Sequence, residues 1–242
     1  MLSILRCGQF ISEHSSSIFN VAIPGHLDTD SYSCDQSYTI ELLSIDPLAI
    51  YINNFLRDEE IEHLLELGSQ TAVLPKEDIV CECLTKRMKS ILGNVQHMEV
   101  ETLQIVKYDA GGDHYKSHTD WFDAPKNDLP YGSEGGSEKP SNRLGSIFAY
   151  LDDDCERGET YFPFLPSVLE SADVNKFALA AGDTGLLVKP RRGNAIFWNN
   201  LHGNGSGDER TAHAGIAVES GTKIGLNIWS RYFLDEPMVG GD

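Results

Sequence analysis

HYKSHTDWF, residues 114–122, sets two histidines and an aspartate among aromatic neighbours. Read as a β-strand, it sends His118 and Asp120 to one side and Thr119 to the other, because side chains alternate along an extended chain. An imidazole and a carboxylate on one face begin a two-histidine, one-carboxylate centre of the kind that holds ferrous iron, and a second histidine from another strand would complete it. The same residues also fit a polar strand facing solvent. The decision rests on a third ligand, and so on whether the chain around this stretch folds as a barrel of short strands.

The sequence beyond residue 100 has that character. ETLQIVKY (101–108), SIFAYLD (146–152), ETYFPF (159–164), GLLVKP (185–190), NAIFWNN (194–200), AHAGIAV (212–218) and KIGLNIWSRYF (223–233) are short β-branched or aromatic runs. Turn signals such as DAGGD, KPSN, AAGD, RRGN and NGSGDE separate them. Before residue 100 the reading is one strand, PLAIYINNFL (47–56), and two helices, RDEEIEHLLELGSQ ending near Gly68 and KEDIVCECLTKRMKSILG. The second helix repeats Val80, Leu84, Met88, Ile91 and Leu92 at three- and four-residue steps. Helices followed by many short strands predict an α+β chain, its helices buttressing an antiparallel barrel or jelly roll. Residues 1–40 read as an irregular N-terminal arm and 41–242 as a single domain. The polar, Gly- and Pro-rich segment 123–142 is expected to lack regular structure and to form a lid over whatever the H-x-D binds. Its GSEGGS lacks the strand-to-helix context of a phosphate loop.

Composition excludes several classes of partner. The 242 residues carry 37 acidic against 19 basic side chains, a net charge of −18, which repels nucleic acid backbones and anionic membrane surfaces. No apolar run approaches the roughly 20 residues of a membrane-spanning helix. The N-terminal MLSILRCGQFISEHSSS is broken by Arg6 and Gly8 and is not read as a signal peptide. Five scattered cysteines suit reduced thiols, and Cys81 and Cys83 read as helix residues without chemistry. The expectation is a cytoplasmic protein without nucleic acid or membrane partners.

Two histidines lie beyond the H-x-D. His202 sits in the Gly-rich NNLHGNGSGDE and reads as a loop residue, whereas His213 opens a strand able to pair near residue 118. Ten positions after His213 stands Lys223, at the head of an apolar strand, where it needs either an acidic partner or a wet end. His114, four residues before His118, is left out of the set.

Tyr108, His118-Thr119-Asp120, Tyr150-Leu151, GETYFP (158–163), KPRRGNAIFW (189–198), HAG (213–215), Lys223 and Trp229 occur in this order. In that series the chain resembles the prolyl 4-hydroxylase family of Fe(II)/2-oxoglutarate dioxygenases, over residues from about 47 to 233. One extra residue between Tyr108 and the H-x-D departs from the family spacing, and segments 123–142 and 165–183 are the chain's own. The resemblance implies a double-stranded β-helix and an iron centre of His118, Asp120 and His213. It implies 2-oxoglutarate held by Lys223, with Tyr108 and Thr160 lining its pocket and Trp229 packed beside it. Tyr115 and Arg143 match positions of substrate contact. Thr160 also reads as an ordinary strand threonine, and Tyr115 and Arg143 as plain surface residues. The implied reaction decarboxylates 2-oxoglutarate to succinate with O2 and hydroxylates an unactivated C–H, ascorbate serving as an accessory. Asp120 keeps an oxygen ligand on the metal, which favours hydroxylation over halogenation. The implied substrate is a prolyl residue in a peptide or an amino-acid-like molecule. Oxidative tailoring of a small secondary metabolite and a catalytically silent jelly-roll binding module stand as alternatives. The acidic charge and a lysine anchor count against a nucleic-acid demethylase.

Overall fold

The computed structural model of the protein describes residues 27, 31–93, 95–129, 137–179 and 184–235. The expected arm therefore lies outside the described residues up to position 26, as do residues 130–136 of the expected lid. In chain order the elements are β1 (Thr39–Ile45), β2 (Leu48–Asn53), α1 (Asp58–Gly68), α2 (Ile79–Ile91), β3 (Met98–Val100), β4 (Gln104–Asp109) and β5 (Tyr115–His118). There follow β6 (Lys126–Asp128), β7 (Lys139–Asp152), β8 (Cys155–Arg157), β9 (Thr160–Phe162), β10 (Phe177–Leu179), β11 (Leu186–Val188), β12 (Ala195–Asn199), β13 (His213–Gly215) and β14 (Val218–Phe233).

Two antiparallel sheets make a double-stranded β-helix. The larger runs β1-β2-β12-β7-β14-β3, with β4 and β8 also on β14 and β6 on β7; the smaller runs β10-β11-β9-β13-β5. Period-two alternation assigns the two faces of the larger sheet. Ile50, Ile52, Ile147, Ala149, Phe197, Leu226 and Ile228 turn outward into one core with Ile61 and Leu64 of α1 and Val80, Leu84 and Met88 of α2. Their strand neighbours Tyr51, Phe148, Tyr150, Ile196 and Trp198 turn inward and pack with Phe162, Leu186 and Val188 of the smaller sheet. The larger sheet is thus covered on both faces, which is why its strands read as nearly continuous apolar runs.

The helices begin where their sequences dictate. Asp78 caps α2 by accepting from the backbone N–H groups of Val80 and Cys81. At the start of α1, Glu60 accepts from the Arg57 N–H at 2.9 Å. Glu60 is fully buried, and Arg87 of α2 donates to its two oxygens at 2.9 and 2.6 Å. Burial alone would raise the Glu60 carboxyl, but these donors hold it below its ordinary value.

Three expectations are corrected. Segment 123–142 is not without regular structure: its described ends form β6 and the start of β7, paired Lys126↔Ser141 and Asp128↔Lys139. Backbone pairing needs no apolar side chains, and Ser141 Oγ closes the pair by donating to Asp128 at 2.9 Å. The cysteines are not all reduced. Cys34 and Cys83 form a disulfide across 49 residues of sequence, so one member of the C-x-C pair on α2 faces the chain before β1 while Cys81 stays buried and free. Finally, the strand carrying the H-x-D ends at His118, so Thr119 and Asp120 lie in the bend after it. No helix among the described residues is long and apolar enough to cross a membrane.

Candidate active site

Register brings the two histidines together. In the smaller sheet β13 lies antiparallel to β5 with His213 directly opposite His118, and their rings stand 4.3 Å apart. Each ring is aimed by a backbone carbonyl: His118 Nδ1 is 2.8 Å from Lys116 O, and His213 Nδ1 is 3.0 Å from Thr211 O. With Nδ1 donating to those carbonyls, both Nε2 lone pairs are presented inward. Asp120 bends into the same space and is 5% exposed; its Oδ1 is 3.6 Å from His118 Nε2 and its Oδ2 is 3.9 Å from His213 Nε2. The ligand atoms of His118, Asp120 and His213 all lie within 4.8 Å of one another.

This donor set fits ferrous iron: two imidazoles and one carboxylate on one side of a cavity. Burial lowers the His213 pKa, which favours the unprotonated ring that a metal ligand must present. Burial would raise Asp120, but His213, His118 and the Ser146 hydroxyl together hold it below the carboxylate range. One oxygen of Asp120 is already committed. Oδ2 accepts from Ser146 Oγ at 2.6 Å and from the Trp229 indole N–H at 2.9 Å, and Asn200 donates to Ser146 Oγ at 2.8 Å. Trp229 and Ser146 face each other across β14 and β7. Trp229, expected beside the cosubstrate, thus also holds the ligand carboxylate.

The cavity beside this cluster has a volume of about 770 Å³ and is lined by all nine residues singled out in the sequence, including Tyr108, Tyr115, Thr160 and Lys223. Lys223 is 2% exposed, yet has no carboxylate within ion-pair distance among the described residues. Its ammonium donates to Gly158 O at 2.7 Å and stands 4.9 Å from the ring centres of Tyr108 and Phe148. Burial pushes its pKa down to about 8. An ammonium has three donors, and the carbonyl takes one. Thr160 Oγ1 lies 3.0 Å from Tyr150 OH in the same wall.

At the other wall Tyr115 meets His118 edge to face at 4.2 Å. Arg143 lies 3.9 Å over the Trp229 ring and 5.0 Å over Phe122, and a bidentate pair with Glu101 at 2.9 Å neutralises it. Sequence reasoning missed Ser146, Asn200 and Glu101. A serine in the otherwise apolar inward row Ser146, Phe148, Tyr150 was the available signal, since a buried hydroxyl there requires a partner.

The family model of the 2OG-Fe(II) oxygenase superfamily matches residues 103–231. Among curated proteins, the chain is 29% identical over 226 residues to probable prolyl 4-hydroxylase 6 of Arabidopsis thaliana, covering 82% of this chain and 74% of that one. It is 28% identical to prolyl 4-hydroxylase subunit alpha-2 of Caenorhabditis elegans, covering 78% of this chain but 35% of that longer one. Among solved structures, the 2OG complex of the viral collagen prolyl hydroxylase from Paramecium bursaria Chlorella virus-1 superposes with a TM-score of 0.56 at 24% identity, over 76% of this chain and 95% of that one.

Proposed function

Since the chain belongs to the 2OG-Fe(II) oxygenase superfamily, we propose that it hydroxylates prolyl residues of a peptide, with His118, Asp120 and His213 as iron ligands and Lys223 as the anchor for 2-oxoglutarate. It is a dioxygenase that uses Fe(II), 2-oxoglutarate and O2. Iron bound at the three ligands supplies the oxidising chemistry, in which 2-oxoglutarate is decarboxylated to succinate and an oxygen atom is delivered to the substrate C–H.

The observation that carries the reading is the buried ammonium of Lys223, without a carboxylate partner among the described residues, in the same cavity as the metal ligands. A dicarboxylate spanning the two would meet the metal at one end and two free ammonium donors at the other. Tyr108 and Thr160 line that path with hydroxyls, and Phe148 and Trp198 keep it dry. Ser146 and Trp229 hold Oδ2 of Asp120, which leaves Oδ1 as the oxygen that would bind the metal. The prolyl part of the proposal is supported by the relatives named prolyl 4-hydroxylases. A cavity of about 770 Å³ also exceeds the needs of a five-carbon cosubstrate and leaves room for a second molecule.

Incubation with Fe(II), 2-oxoglutarate and a set of proline-containing peptides tests this. The expected result is succinate formed in step with a peptide heavier by one oxygen atom. Succinate coupled only to a small metabolite would overturn the prolyl assignment. Absence of succinate from metal-loaded protein would overturn the enzymatic reading itself.

A further inference from the structure

Between β12 and β13 the chain runs through Asn204-Gly205-Ser206, a turn outside the active-site wall. This is an Asn-x-Ser triplet with no proline in the middle, the acceptor signal for N-linked glycosylation. It is the only Asn-x-Ser/Thr triplet in the 242 residues. The fold displays it. Leu201 and Gly207 are bridged, and His202 N donates to Ser206 O at 2.8 Å, so the triplet forms the tip of a closed turn. Asn204 and Ser206 are both exposed, and Gly205 turns the chain at a φ of 83°. Ser206 donates to Asn204 Oδ1 from its hydroxyl at 2.7 Å and from its backbone N–H at 3.0 Å. The turn thus uses only the amide oxygen of Asn204, and substitution on the nitrogen would break none of these bonds.

A triplet is used only where the chain meets the glycosylation machinery, and a separate feature speaks to that compartment. Disulfides persist in oxidising compartments and are rare in the cytosol. The Cys34–Cys83 bridge fastens a stretch that is also woven into the helices: Tyr32 donates to Glu60 at 2.7 Å and Arg57 donates to Ser33 O at 2.7 Å. A cytoplasmic setting, expected from five apparently unpaired cysteines, does not suit a covalent bond built into the packing of this segment.

We propose that Asn204 carries an N-linked glycan, acquired in the oxidising compartment where Cys34 and Cys83 are joined. In that step Asn204 Nδ2 bonds to the anomeric carbon of an oligosaccharide supplied by a lipid-diphosphate donor. The anomeric C–O bond breaks, the lipid diphosphate leaves with its electron pair, and the amide nitrogen gives up one proton to the transferase. The proposal does not rest on the active-site assignment.

Peptide mapping of the protein isolated from the cells that make it provides the test. Mass spectrometry of the intact glycopeptide containing residue 204 should find an N-acetylhexosamine-based glycan on Asn204. In the same cells, Ser206→Ala should lose the glycan-dependent gel shift and Ser206→Thr should keep it. Non-reducing mapping should recover Cys34 joined to Cys83. Unmodified Asn204 in the native protein would overturn the proposal, whether or not the cysteines are bridged. A gel shift that survives Ser206→Ala would place the modification elsewhere and overturn it equally.

Discussion

Arg87, beneath α1, is 5% exposed and grips both oxygens of a buried glutamate, whereas Lys223, in the cavity wall, is 2% exposed and has one carbonyl and three aromatic rings around it. Both cations are shielded from water, and both carry the cost of desolvation. Glu60 offsets that cost for Arg87 within the folded chain. For Lys223 the offset is left open, and a partner that arrives from outside can supply it. A buried charge with its counterion in place belongs to the fold; one without it is where the proposed 2-oxoglutarate site would take its anion.

Substitutions at the two positions should therefore fail in different ways. Arg87→Met leaves Glu60 buried without its main partner and should cost about 3–5 kcal/mol of stability, enough to lower the urea midpoint sharply or prevent folding. Lys223→Met should fold at least as well as the parent. It should weaken 2-oxoglutarate binding by about 2–5 kcal/mol, read as a raised 2-oxoglutarate requirement or by calorimetry. If Lys223→Met instead unfolded the protein, the contrast between the two cations would be lost.

The pH dependence of stability sharpens the same contrast. The folded pKa of Lys223, about 8, lies below its ordinary value of 10.5. Between those values the unfolded chain holds the proton that the folded chain has released, so stability should rise with pH through this window. The full span is about 3 kcal/mol from the size of the displacement, measured by denaturant unfolding of the 2-oxoglutarate-free protein from pH 8 to 10.5. Lys223→Met should show none of this rise, and saturating 2-oxoglutarate should suppress it, because the anion restores the charged form. The smallest expected effect is at Ser146. Ser146→Ala should keep the fold and weaken metal binding by about 10- to 100-fold, seen by titration with a spectroscopic divalent ion. Ser146→Thr, which keeps the hydroxyl, should restore it.

How much of this was legible follows from what kind of interaction positions each residue. Strands such as the one carrying Ile147 and Phe148 were read directly as short apolar runs, but which residue faces which core became clear only in the fold. The three-residue strands β3, β6, β8 and β10 were not read: β6 (Lys126–Asp128) and β8 (Cys155–Arg157) are held by backbone pairing without an apolar signature, and β3 and β10, although they bury Met98, Val100 and Phe177, are too short to show a period. β14 runs unbroken from Val218 to Phe233 through Ser220 and Gly221, residues that read as a turn in isolation. The cluster of His118, Asp120, His213 and Lys223 was legible through the order and spacing of the motifs that resemble the oxygenase family; the residues alone also fitted a polar strand and a lysine at a wet strand end. Ser146 and Asn200 were hidden: a hydroxyl and an amide inside strands carry no sign of which atom they serve. Cys34 and Cys83 were hidden by the 49 residues between them, since only the fold brings them together.

The facing of His118 and His213 across β5 and β13 has a mechanical side. β5 is the last strand of the smaller sheet and among the described residues pairs only with β13, through a ladder already interrupted by a register shift. An ion held by both histidines would act as a rivet through that ladder, tying an edge strand to its pairing partner by bonds stronger than the few backbone contacts. The amides of residues 115–118 and 213–215 should therefore exchange with deuterium more slowly in the metal-loaded protein than in the metal-free protein, so that the centre fastens the very strands that build it.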